Sequence, residues 1–284
     1  MTERYCVYHV PGPQTPLCRL GSAALGRSIM GGEALAPPWP EGRGGEFPPH
    51  PARAALYGFH ATLVAPFRSL VAPGVLTEAV AAAAAALEAV PLGPLELAIL
   101  PPGFPALAPS AAPAALAGLE SFLVRRFAGF RLPPSNDELA RREPLTPRQR
   151  ELARTWGYPF VMDEFRYHLT LGDCLQAPGL PPDPRSLRLL ELLSGILGRE
   201  DLDGLSVDAL CLARQERAGA PFAAVHVSCL KPPAKVPCPG TPGTSPARSG
   251  PPSPAVRAGG DVAALVNPPG PVPGRAGFPE AGPK

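Results

Sequence analysis

The chain has 284 residues with 26 Lys and Arg against 24 Asp and Glu, and a formal charge of +2 gives no electrostatic case for a long nucleic acid or a membrane surface as partner. Its only lysines are Lys231, Lys235 and Lys284, so every cation before residue 231 is arginine. That excludes a Schiff-base lysine, a lysyl-nucleotidyl intermediate and a P-loop lysine from the first 230 residues, and leaves a side chain that forks well onto phosphate oxygens. A GC-rich genome would produce the same bias.

In chain order, Arg4–Val10 is aromatic and β-branched, stops at Pro11-Gly12, and reads as a strand. Leu17–Ile29 fits a helix ended by Gly31-Gly32, followed by a Pro/Gly-rich loop over Ala36–Arg53. Leu56–Phe67 reads as a strand, Thr77–Ala89 as an alanine-rich helix and Leu95–Leu100 as a strand. Ala111–Phe127 has helical period. Two capping boxes follow, Ser135 to Glu138 and Thr146 to Gln149, each opening a short helix, the second with Pro147 at its first position. Phe160–Leu171 reads as a strand, and Asp183-Pro184 starts a helix to about Leu197. Leu205–Ala213 and Phe222–Leu230 form a hairpin around Ala218-Gly219.

The order strand–helix–strand–strand–helix, then helix–strand–helix–strand–strand, predicts two similar α+β halves rather than one wound parallel sheet. The folded domain is expected over 1–230. Residues 231–284 hold 15 Pro and 9 Gly among 54, too little apolar area to offset ordering entropy, and read as a disordered tail. The six cysteines show no Cys-x-x-Cys pair and mostly sit in apolar runs, as reduced, buried thiols of a cytoplasmic protein would. MTERYCVYHVPGP lacks a signal-peptide pattern, and no uninterrupted apolar run reaches bilayer length, so no membrane partner is expected.

Two segments repeat. Gly58-Phe59-His60-Ala61-Thr62-Leu63 and Arg166-Tyr167-His168-Leu169-Thr170-Leu171 both read aromatic, His, apolar, Thr, Leu. On a strand, residues two apart share a face. His60 and Thr62 therefore point one way, as do His168 and Thr170, with the aromatic and apolar residues opposite. Such a pair, used twice, suits opening a phosphodiester: one imidazole as base, the other as acid, and hydroxyls donating to the phosphoryl oxygens where charge gathers. A lone histidine on a strand is usually structural, and the match over five positions tips the balance. His9 and His226 read as structural strand residues and His50 as loop. A metal site competes weakly: neither copy has a second ligand at short range, although Asp163, Glu164 and Asp173 flank the second. No metal and no cofactor are expected.

The tandem His-x-Thr strands resemble the 2H phosphoesterase superfamily, which includes RNA 2′,5′-ligase-like and cyclic phosphodiesterase proteins. Arg4-Tyr5-Cys6-Val7-Tyr8, Tyr57 through Leu63, and Trp156 through Arg166 are similar to the branch encoded beside phosphonate-degradation genes; the likeness covers roughly residues 1–230. The resemblance implies two lobes with antiparallel sheets related by a pseudo-two-fold around a central cleft, helices outside. It implies a metal-independent phosphodiesterase with catalytic His60, Thr62, His168 and Thr170, acting on a ribose or nucleoside cyclic phosphate. Tyr8, Arg166 and Tyr158 are candidate substrate-binding residues, each with packing or surface exposure as the plain alternative. Gly58 stands where Arg166 precedes the second copy, so the lobes need not be equal. A binding module for a phosphorylated sugar or RNA end, or an RNA-end processing enzyme, is the alternative. A monomer with a small phosphorylated sugar or nucleotide as ligand is expected, since no basic patch with interleaved aromatics supports a long strand.

Overall fold

The computed structural model describes residues 3–48, 51–140, 142, 144–175 and 180–232, so His50, Cys238 and nearly all of the expected tail lie outside the described residues. The fold is α+β with antiparallel sheets. β1 (Arg4–His9) lies between β2 (Ala61–Phe67) and β8 (Ala209–Gln215), and β9 (Ala223–Cys229) closes the order β2-β1-β8-β9. Tyr5 through His9 are all buried, as a central strand covered on both faces requires, whereas the edge strand β9 alternates. The second sheet has the order β4-β5-β6, from Leu95–Leu100, Phe104–Pro109 and Leu169–Thr170. β3 (Val90–Pro91) and β7 (Ser206–Val207) form a small separate pair. The orders β2-β1-β8 and β6-β5-β4 follow one pattern, with the motif strand at the edge of each sheet. The lobes are unequal, because β9 extends only the first.

Helices cover the outer faces. α1 (Pro16–Ala24) is capped by Thr15, and α2 (Ala54–Tyr57) is a single turn. α3 (Pro73–Ala86) packs on β8 and β9, and α4 (Ala114–Phe127) on β2. α5 (Asn136–Ala140) and α6 (Pro147–Trp156) follow the two predicted capping boxes; Ser135 Oγ accepts from Glu138 N, and Thr146 Oγ1 from Gln149 N. α7 (Pro184–Ile196) packs on β4 and β5, and α8 (Arg199–Leu202) follows.

Three expectations need correction. The stretch 56–67 is not one strand: α2 ends at Gly58, whose φ of +72° breaks the backbone before β2 begins at Ala61. The stretch 160–171 pairs only at Leu169–Thr170, because a 3-10 turn over Met162–Glu164 redirects the chain, with Met162 at φ 56° and its N–H held by Glu120. Phe104–Pro109 is a strand the sequence reading passes over, since Pro105 and Pro109 argue against a central position. Cys174 and Cys229 are exposed, unlike the buried Cys6, Cys18 and Cys211. Among the described residues no helix is long and apolar enough to cross a membrane.

One buried contact ties the sheets together behind the motifs. Tyr167, the aromatic residue of the second copy, meets Nδ1 of His9 on β1 through its hydroxyl at 2.6 Å. With that hydroxyl donating to Nδ1, the Nε2–H faces the Asp208 carboxylate at 3.7 Å, beyond hydrogen-bond reach. Tyr167→Phe leaves the buried Nδ1 unsatisfied and is expected to lower unfolding free energy by about 1–3 kcal/mol. An unchanged urea midpoint would show that this bond contributes nothing.

Candidate active site

Each motif carries the alternation that the strand geometry demands. Phe59, Ala61 and Leu63 are buried while His60 and Thr62 are half-buried, and Tyr167, Leu169 and Leu171 are buried while His168 and Thr170 are half-buried. The apolar side fixes the polar one. Phe59 lies so close to Gly21 of α1 that a Cβ there would clash with its ring.

The two histidines are held by the same device. His60 Nδ1 lies 2.8 Å from the Gly58 carbonyl, and His168 Nδ1 lies 3.0 Å from the Arg166 carbonyl. A carbonyl only accepts, so Nδ1 carries the proton in both neutral rings and Nε2 carries the lone pair of each. Thr62 Oγ1 lies 3.1 Å from His60 Nε2 and, with that tautomer, donates to it. Gly58 sets this carbonyl, and a Cβ there would lie 2.7 Å from Ile29 Cβ.

Both pairs line one cavity of about 370 Å³ between the lobes, together with Tyr8, Tyr158 and Arg166. Tyr8 stands opposite Thr62 in the β1–β2 register, and its ring stacks on His60 with centroids 3.7 Å apart. Phe104 on β5 flanks His168 at 5.6 Å. Tyr158 lies under the Arg142 guanidinium, 5.0 Å from its ring centroid. Arg166 turns its Nη1 onto the carbonyls of Asp163 and Phe165, at 3.0 and 2.7 Å. All seven residues singled out from the sequence therefore face one space.

Burial disfavours the charged imidazole. It brings His60 down from 6.5 to about 4, opposed by the Gly58 carbonyl and helped by the His168 charge. Burial likewise lowers His168, opposed by the Arg166 carbonyl. That the charge of one ring acts on the other is itself a sign of their proximity.

The acidic residues flanking the second motif have other duties. Asp163 pairs with Arg148, and Glu164 accepts from Gln149. Asp173 accepts from the backbone N–H of Arg53 and Ala54 at 3.0 and 2.7 Å, so the carboxylate just past the second motif caps the turn that leads into the first. Among the described residues no three His, Cys, Asp or Glu side chains gather as metal ligands would. His226 instead bonds Ser228 Oγ at 2.7 Å on β9.

Sequence reasoning missed Arg142, Tyr57 and Glu120, which also line the cavity. Arg142 follows a short surface helix and carries no local pattern. Glu120 falls on the buried face of α4, where the helical period reads as core; burial pushes its carboxyl up to about 7.

The family model for a protein of unknown function, DUF1045, matches residues 62–223. The chain belongs to the DUF1045 family. The span matched takes in Thr62 and the whole second motif of this DUF1045 protein, starting two residues after His60. Ribose 1,5-bisphosphate phosphokinase PhnN of Janthinobacterium sp. (strain Marseille) is 32% identical over 231 residues, 77% of this chain and 49% of that protein. Its counterpart in Laribacter hongkongensis (strain HLHK9) is 34% identical over 181 residues, 63% of this chain and 42% of that protein. The chain spans about half the length of the curated relatives it matches. Among solved structures, E. coli LigT complexed with NADP+ aligns with a TM-score of 0.40 at 13% identity, covering 81% of this chain and 98% of that one. A structure described as a phosphoesterase aligns at 0.38 and 12%, covering 81% and 99%.

Proposed function

We propose that this cavity hydrolyses a small cyclic phosphodiester, a ribose or nucleoside cyclic phosphate, by general acid–base catalysis between His60 and His168. The observation that carries the reading is the matched tautomer: two imidazoles, each pinned through Nδ1–H to the carbonyl two residues back, offer Nε2 to one space. One Nε2 takes the proton of the attacking water while the other returns a proton to the leaving sugar oxygen. Thr62 and Thr170 donate to the non-bridging oxygens, and Tyr8, Tyr158 and Arg166 hold the sugar and phosphate. No metal or cofactor enters this scheme, and a place in phosphonate catabolism is part of the proposal. The activity for which the curated relatives are named, on ribose 1,5-bisphosphate, supports a phosphorylated ribose as ligand. Their kinase step is not carried over, because the chain contains no Gly-Lys dipeptide and so no P-loop.

The test is a panel of nucleoside 2′,3′-cyclic phosphates and ribose 1,2-cyclic phosphate followed by phosphorus NMR in EDTA. Appearance of a monoester signal is expected; no conversion of any probe would sink the hydrolase. A second reading, a non-catalytic binder of phosphorylated sugars, draws on the low proton affinity of both imidazoles in the free cavity. It predicts thermal stabilisation by the probes with no monoester formed.

The pH dependence follows with its sign. The base must be neutral and the acid protonated, and the two rings titrate as a pair. His60, brought down to about 4, is neutral over most of the working range and is assigned as the base, which leaves His168, also lowered by burial, as the acid. kcat/KM is expected to rise as pH climbs through about 4 and to fall as it passes the His168 value below 6.5. A bound phosphodiester anion favours imidazolium, so the kcat profile lies at higher pH. A kcat/KM maximum on the alkaline side of neutrality would contradict the assignment.

A further inference from the structure

Beside the two histidines, the cavity carries more positive charge than one phosphodiester needs. Arg4, Arg53, Arg142 and Arg166 all line it. Among the described residues two carboxyls do, Asp173 and Glu120. Both oxygens of Asp173 are taken by backbone N–H groups, and Glu120 holds Met162 N. A cyclic phosphodiester is a monoanion, which Arg166 and the hydroxyl groups of the motifs suffice to meet.

One of these arginines, Arg4, shares a wall with His60, and a second, Arg142, lies over the Tyr158 ring of the same cavity. The Arg4 guanidinium lies 5.5 Å from the Phe222 ring centroid; Phe222 stacks on Tyr57 at 5.4 Å, and Tyr57 lies 6.4 Å from His60. Among the described residues, Arg4 Nε donates to Gln215 Oε1 at 2.7 Å and Arg142 Nη1 to the Gly157 carbonyl at 3.1 Å. No described carboxylate hydrogen-bonds to either; Glu138, whose charge also reaches Arg142, accepts from Arg68 and from Ser135 N. Burial above all, and after it the charge of Arg4, weakens the hold of Arg142 on its proton, so the two guanidiniums are near enough to disfavour one another. On the ring that stacks on His60, the Tyr8 hydroxyl is fully buried, has no hydrogen-bond partner among the described residues and feels the Arg4 charge. Like charges and an unsatisfied hydroxyl lining one partly buried cavity are costly without an anion to answer them.

We propose that Arg4 and Arg142, with the Tyr8 and Tyr158 hydroxyls, form a second anion subsite, and that the substrate is a small cyclic phosphodiester bearing a separate phosphate monoester. A carboxylate would be satisfied by one guanidinium fork. Two forks and two phenol donors match the three terminal oxygens and double charge of a phosphate monoester. Tyr158, pushed up to about 12 by burial, and Tyr8, also raised by burial, keep their protons and can donate. The substrate class rests on reading the histidine cavity as the phosphodiester site; the subsite itself is tested by binding alone.

Calorimetry on the full chain would compare adenosine 2′,5′-bisphosphate with adenosine 2′-monophosphate, which differ only in the second phosphate. The bisphosphate is expected to bind at least about tenfold tighter, as a good charge-assisted phosphate contact gives. In Arg142→Gln, and independently in Arg4→Gln should the first fail to fold, the ratio of the two Kd values is expected to fall to near one. Equal Kd values in the parent, no binding of either ligand, or a preference that survives both substitutions overturns the subsite. The NMR panel separates the two claims: a preference without cleavage defeats the hydrolase and leaves the subsite standing, whereas cleavage without a preference does the reverse.

Discussion

His60→Ala and His168→Ala are each expected to lower kcat by roughly 10²–10⁴-fold, the range of a positioned general acid or base. The double variant should be little slower than the worse single one, because acid and base act on the same transition state and their losses do not add. Both rings are half-buried and each makes a single hydrogen bond to the backbone, so the protein should stay folded without them. Near-UV circular dichroism and a thermal unfolding curve check that. The two substitutions are not equivalent in detail. Removing His60 strips Tyr8 of the ring it stacks on, while removing His168 takes away a charge that acts on His60. A kcat for either alanine variant within about tenfold of the parent would end the two-histidine mechanism.

How much of this was readable beforehand follows from where the signal was local. The placement of the two histidines on one face with their threonines needs only the two-residue period of an extended chain, and the burial of Phe59, Ala61 and Leu63 against half-buried His60 and Thr62 obeys it. The capping boxes at Ser135 and Thr146 are equally local, side chain to backbone within three residues. What failed was non-local. Phe104–Pro109 is a central strand in spite of two prolines, because the Pro105 carbonyl still accepts from Leu171 N at 2.8 Å and the ladder loses only donors. The stretch before His168 looked extended by composition, yet Glu120, some forty residues earlier, holds a tight turn at Met162. Arg142 reaches the cavity by packing over Tyr158, a contact no spacing announces. Convergence of the motifs was itself invisible in the residues: it depends on Asp173 capping the turn before the first motif and on Tyr167 reaching His9.

Thr62→Val and Thr170→Val are expected to cost about 10²–10³-fold in kcat with a smaller effect on KM, as loss of a donor to a developing oxyanion does. Valine keeps the β-branched shape that the strands favour, so the change removes the hydroxyl and little else. Thr→Ser at either position keeps the donor and should retain most of the rate. The two sites differ in the free protein, where the Thr62 hydroxyl donates to His60 Nε2. To serve the phosphate it must turn from that nitrogen to the incoming oxygen, which frees Nε2 for water at the moment the substrate arrives. Without Thr62 the neutral ring loses a hydrogen bond that favoured it, so its proton affinity rises. The acid limb of kcat/KM should therefore move to higher pH in Thr62→Val. Fully active valine variants would remove the hydroxyls from the mechanism. An equal shift of the acid limb in both would mean that the hydrogen bond at His60 Nε2 does not set the proton affinity of that ring.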